Sequence, residues 1–186
     1  MKYKTIPSTT GLYFVTSRVA GYHSVFVNHE LCTIVMESLS WFRSKSIWKL
    51  YSYCLMPNHL HVLVQLCDGT PIEKVMGQFH SFTGHRIARY LKRHKGPLEF
   101  FQRKGSGKGD REILIWEDSL AKCIETEYVL LKTIDYIHNN PLNKNWHLVD
   151  ERSEYLYSSA CFLDEGVQPL IEMDDYQELL GGTPSH

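Results

Sequence analysis

The stretch that most constrains the fold is IWKLYSYCLMPNHLHVLVQL, residues 47–66. Two strongly apolar runs flank Pro57–Asn58, the pattern of two core strands joined by a tight turn. Side chains two apart on a strand share a face, so Leu60, Val62, Val64 and Leu66 can build core. His59 and His61 project together from the other face, with Leu63 and Gln65 following. Two convergent imidazoles on a rigid strand make a chelate for a divalent metal. A hydrogen-bonded pair at a sheet edge or on a solvated face has the same pattern, and H-x-H alone does not separate the two readings. Carboxylates that could complete a metal site are scarce nearby: Asp68 lies beyond the strand and Glu73 starts the next helix.

The rest of the chain supplies partners for this hairpin. LYFVTSRV, residues 12–19, alternates as a half-buried strand does. After it, Asn28 is a candidate N-cap for a helix in which Leu31, Ile34, Val35, Leu39 and Phe42 recur at helical spacing. A second, long helix is predicted from DGTPIEKVMGQFHSFTGHRIARYLKRH, with Thr70 as cap and Pro71 at the first helical position. KGPLEFFQRKGSGKGD, residues 95–110, is too long for a simple connector and reads as a functional loop. REILIWEDS supplies a short strand, and ETEYVLLKTIDYIHNN a helix from about Glu125 that Pro141 ends. The order β, α, β, β, α, β, α describes an α+β ferredoxin-like sandwich, an antiparallel sheet with helices on one face. Residues 1–148 form this domain. Residues 149–186 are irregular, aromatic and acidic, and read as an extension packed on it with a short closing helix near Asp174.

Several classes are excluded by composition. No apolar run approaches the roughly 20 residues that span a bilayer, and the N-terminus lacks the apolar core of a signal peptide. Five cysteines without a C-x-x-C pair predict reduced thiols in a cytoplasmic protein. The net charge of −1 conceals an asymmetry: nine Lys or Arg against two acids between Arg86 and Arg111, and nine acids against Arg152 alone from Asp150 onward. A basic centre suggests a localised polyanion site, although a solvated charged helix looks the same. Arg86, Arg89, Lys92 and Arg93 recur along the second helix beside His85, Tyr90 and His94. Arg103, Lys104, Lys108 and Arg111 follow on the loop. Cations interleaved with rings suit a nucleic-acid strand.

MPNHLHVLV resembles the H-hydrophobe-H strand of the single-tyrosine HUH transposases, and YIHNNP, Tyr136 to Pro141, resembles the helix that carries their nucleophile. FVTSRV, IWEDS and YLYSSACF are similar to further family segments, so the resemblance runs from about Tyr13 to about Leu163. It is closest to the REP-associated tyrosine transposases, relatives of the insertion-sequence 200/605 group. The resemblance implies a ferredoxin-like fold and cleavage and rejoining of single-stranded DNA near hairpins. A tyrosine attacks a phosphodiester to give a 5′-phosphotyrosine link and a free 3′-OH, with Mg²⁺ or Mn²⁺ as cofactor. Carried onto this chain, it makes Tyr136 the nucleophile, His59 and His61 metal ligands, and Asn140 the further polar ligand. It also implies a monomer or homodimer whose partner is hairpin-bearing single-stranded DNA. Residues four apart share a helix face, so Tyr136 and Asn140 can reach the histidine strand together, while His138 points away. The chain departs from the family pattern in having no acid directly before the pair, a glycine-rich loop and an acidic tail placed to cover or regulate the site. These departures keep a second reading open, a catalytically silent, domesticated hairpin-binding protein. A third is a metal-dependent hydrolase that activates water.

Overall fold

The computed structural model describes residues 3–7, 11–104 and 111–181, with residues 103, 104, 111 and 112 described by their backbone alone. Strands β1 (Leu12–Val19), β2 (Trp48–Met56), β3 (His59–Leu66) and β6 (Trp116–Cys123) form one sheet. Its order is β2-β3-β1-β6, with every neighbouring pair antiparallel. Helix α1 (His29–Ser44) links β1 to β2, and α2 (Ile72–Arg93) links β3 to β6. This is the ferredoxin-like arrangement that the element order predicts. A short hairpin of β4 (Gln102–Lys104) and β5 (Arg111–Ile113) lies within the stretch read as a loop and its border.

The two crossover helices cover one face. Val15, Val19, Leu60, Val62 and Val64 pack there against Val35, Leu39 and Phe42 of α1 and Val75, Phe79 and Ile87 of α2. Asn28 caps α1 as its position predicts, its Oδ1 accepting from the N–H groups of Glu30 (2.9 Å) and Leu31 (3.3 Å). Asn28→Ala leaves those donors without this partner and is expected to lower stability by about 1 kcal/mol in urea titration. An unchanged midpoint would show that water replaces the cap. Thr70 does not cap α2. Pro71 has extended backbone (ψ 138°) and takes the cap position itself, its carbonyl accepting from Lys74 N–H at 3.0 Å. The Thr70 N–H instead donates to Asp68 Oδ1 at 2.9 Å.

Helix α3 (Glu127–Asn139) stands outside this repeat and packs on the opposite face. Leu130, Ile134 and Ile137 meet Cys54, Met56 and Leu63 there. Thr126 Oγ1 accepts from Val129 N–H and starts the helix two residues later than the sequence pattern suggests. A register shift between Leu50 and Ser52 lets β2 serve both layers. Leu50 and Tyr53 face α1 and α2, while Tyr51, Cys54 and Met56 face α3.

The C-terminal segment runs along the outer edge of β2. Leu55 N–H donates to Tyr157 O (2.9 Å), Ser159 N–H to Tyr53 O (3.0 Å) and Asp174 N–H to Leu50 O (2.8 Å). Arg43 binds Asp174 and Glu172, and Arg152 binds Asp135 and Asp164, so several tail acids meet cations of the same chain. The closing helix near Asp174 is a 3-10 turn, Tyr176–Leu180, capped by Asp175. No described helix is long and apolar enough to cross a membrane.

Candidate active site

The site is assembled from two strands and one helix on the α3 face. Antiparallel register sets His61 opposite Thr16 and His59 opposite Arg18, so these four side chains share that face. The imidazole rings stand 4.7 Å apart, centre to centre, at 78°. Helix α3 lays Tyr136 against them: its ring is 5.3 Å from that of His61, edge to face, and 5.8 Å from Phe14. Phe14 stacks on His61 at 5.5 Å and walls it from behind. Tyr136 is nonetheless 54% exposed, so its hydroxyl-bearing ring is open to a large substrate.

Hydrogen bonds fix the orientation of both imidazoles. Asn58 Oδ1 accepts from His59 Nδ1 at 2.6 Å, and His61 Nδ1 pairs with Thr16 Oγ1 at 2.9 Å. Neither Asn58 nor Thr16 figured as a site residue in the sequence reading. Strand parity could have found Thr16, since it projects from β1 beside Phe14 and Arg18. Burial pushes the His61 pKa down to about 3, with the His59 ring adding to the shift and Asn140 opposing it. Burial lowers His59 too, again against Asn140. Both rings are therefore neutral at pH 7 and carry lone pairs.

These residues fit a metal ion by an observation independent of motif. His61 Nε2 is buried and has no hydrogen-bond partner. A lone pair left unmatched in the interior costs about 1–3 kcal/mol unless a ligand takes it. Asn140 Nδ2 donates to the Tyr136 carbonyl at 2.8 Å, which leaves Oδ1 as its donor atom to a cation. Two imidazole nitrogens and one amide oxygen are thus what the site offers. Among the described residues no group of three or more His, Cys, Asp or Glu comes together.

Other tyrosines of the region are engaged elsewhere. Tyr128 packs against Tyr3 with its ring tilted, the Tyr155 hydroxyl donates to Leu55 O, and Tyr157 pairs with His29. His138 points away as its helical position predicts; it is fully buried, with Nε2 bonded to Ser159 Oγ (2.8 Å) and Ser52 Oγ (3.0 Å). Beside Tyr136 opens a cleft of about 450 Å³ lined by Lys132, Asp135, Asn139, Asn140, Leu142 and Asn143.

The structure does not bring the basic residues of α2 to this face. Arg86 pairs with Glu37 of α1 and lies over the Phe82 ring, while Arg89, Lys92 and Arg93 are exposed near the end of α2. Helix α2 covers the other face of the sheet, so a strand in contact with both must pass around its rim. Lys108 lies outside the described residues, as do the side chains of Arg103, Lys104 and Arg111.

Comparison with known proteins agrees with this architecture. Residues 14–104 match the family model described as transposase IS200 like. Among solved structures, a REP-associated tyrosine transposase bound to a REP hairpin superposes with a TM-score of 0.62 at 15% identity, covering 94% of this chain and 90% of that one. A candidate transposase from Deinococcus radiodurans R1 gives a TM-score of 0.47 at 15% identity, covering 75% and 92%. No curated protein sequence matches the chain. The matched segment, just under half of the chain, carries most of β1, the histidine strand and α2, and over that length the chain is similar to the IS200-like transposase family.

Proposed function

We propose that this chain cleaves and rejoins single-stranded DNA near hairpins, with Tyr136 as nucleophile. The observation that carries the reading is the exposed Tyr136 ring packed on His61, whose buried Nε2 has no other partner. Tyr136 Oη attacks the phosphorus of a phosphodiester and gives up its proton to solvent. The bond to the leaving 3′-oxygen breaks, yielding a free 3′-OH and a 5′-phosphotyrosine. Attack of a 3′-OH on that link reverses the step and restores the phenol, so the bond energy is kept for rejoining. Lys132, one turn earlier on α3, lines the same cleft and offers a cation to the substrate phosphates. Phe14 and Thr16 keep the His61 ring fixed while the strand is held. Mg²⁺ or Mn²⁺ held by His59, His61 and Asn140 would offset the negative charge that builds on the phosphate oxygens. The REP hairpin bound by the structural relative supports a hairpin as the recognised element.

The test is incubation with hairpin-tailed single-stranded DNA and Mg²⁺, followed by denaturing electrophoresis and peptide mapping. A DNA–protein adduct on the peptide containing Tyr136 is expected. An adduct on the Tyr128 peptide, or cleaved DNA with no adduct, sinks the assignment. Tight binding without cleavage would leave a hairpin-binding protein.

A further inference from the structure

We propose that a second, ring-lined cavity at the histidine end of the sheet receives one unpaired base of the DNA strand. The inference rests on the transposase reading and extends it to how the strand is placed. β1 ends beside the start of β3, where Arg18 is paired with His59, and continues into residues 20–23. Helix α2 returns to this same end, because it links the far end of β3 to Trp116, which pairs with Val19. The end of α2 therefore lies around the rim from Tyr136.

A cavity of about 360 Å³ opens there between the end of α2 and residues 23–28. Two stacked ring pairs bound it. His23 lies on Phe100 with centres 4.5 Å apart and planes 12° apart, and Tyr90 lies on His94 at 4.1 Å and 30°. The volume is at the small end of ligand cavities, and a lining of aromatic rings suits one planar heterocycle. His94 Nδ1 bonds the Tyr90 carbonyl, which leaves Nε2 to meet a polar base edge.

Charge selects the class of guest. Arg89, Lys92, Arg93 and Lys95 are exposed around this end of α2, and between residues 86 and 104 the chain has a single acid, Glu99. Rings flanked by cations match a nucleotide, whose base stacks while its phosphates are neutralised. One amide joins the cavity to the site. Asn58 bonds His59 through Oδ1 and donates from Nδ2 to the carbonyl of Tyr22, the residue before His23. The exposed Tyr22 ring, under the Arg18 guanidinium at 5.2 Å, paves the rim between them. A base lodged in the cavity fixes the register of the strand and so selects which phosphate meets Tyr136. The cations of α2 then serve the substrate from the far face of the sheet.

The test starts from a strand selected by binding from a pool of hairpins with random single-stranded tails. Removing one base at a time to leave an abasic site should identify a single tail position whose loss weakens binding about 5- to 100-fold, the range for one stacked base. Phe100→Ala, at a half-exposed ring, should weaken binding of the intact strand equally and add nothing on the abasic strand; His94→Ala should do the same. Additive losses, or a Phe100→Ala protein that binds as wild type while Tyr136 still forms its adduct, overturn the cavity alone. A pool that yields no bound strand overturns the transposase reading with it.

Discussion

Tyr136→Phe is expected to abolish the covalent DNA adduct and to slow strand cleavage by on the order of 10⁴-fold or more, the scale seen when a nucleophile is removed. The phenyl ring keeps the edge-to-face contacts with His61 and Phe14, so the fold and hairpin affinity should stay within about twofold of wild type. Single-turnover reactions on denaturing gels read the cleavage rate, and filter binding reads the affinity. Tyr128→Phe is the matched control: that ring packs against Tyr3, away from the histidines, and loss of its hydroxyl should leave cleavage unchanged. Cleavage that survives Tyr136→Phe would shift the chemistry to water activated at the histidine pair.

Acid should destabilise the protein steeply between pH 6.5 and 4, and two histidines outside the site account for much of it. Burial lowers the His80 pKa to about 4 despite nearby Asp118, and its Nε2 is bonded to Ser17 Oγ at 2.8 Å. Burial and the Arg152 charge lower His138 to about 4 as well, against Asp164 and Asp135. In the unfolded chain both take up protons near 6.5, so the unfolded state binds more protons throughout this window. Stability is complete above 6.5 and is lost as pH falls. By pH 5 each ring contributes a loss of roughly 2 kcal/mol, about 4 kcal/mol for the pair. Asp118 and Asp164 have pKa values below their ordinary 3.8 and stay ionised across the window. Urea midpoints at pH 7 and 5 measure the loss, to which His61 of the site also contributes, and His80→Gln or His138→Gln should each remove about 2 kcal/mol of it. A midpoint independent of pH would refute the account.

How far the sequence could be read follows from which physical rule governs each residue. Strand parity assigned Leu60, Val62 and Val64 to one face and the histidines to the other, because the two-residue period is local. Asn28 was legible for the same reason, since a cap needs only the N–H groups two and three residues on. The side of the sheet that α3 occupies is not local. A helix after the fourth strand lies outside the two crossover units, so nothing in YIHNNP itself sets which face Tyr136 meets; the family resemblance supplied that juxtaposition. The placement of α2 was implied by the fold order, while its cations were legible only as a surface suited to a nucleic-acid strand. The antiparallel crossover puts them on the other face, and contiguity in charge was not contiguity in space. The shift at Tyr51 is also invisible in an apolar run such as LYSYCLM, where both faces are buried and no alternation marks the slip.

The strand of C-terminal chain along β2 has a consequence for self-association. The sheet has two margins, and β6 meets solvent with Glu117, Asp118 and Lys122, charges that discourage edge-to-edge pairing. β2 is apolar almost throughout, and its bare edge would be a template for aggregation. Tyr157, Ser159 and Asp174 occupy that edge through their backbone groups. The tail therefore acts as an internal guard strand, and a chain clipped before Tyr155 would expose β2 to its neighbours and polymerise through it.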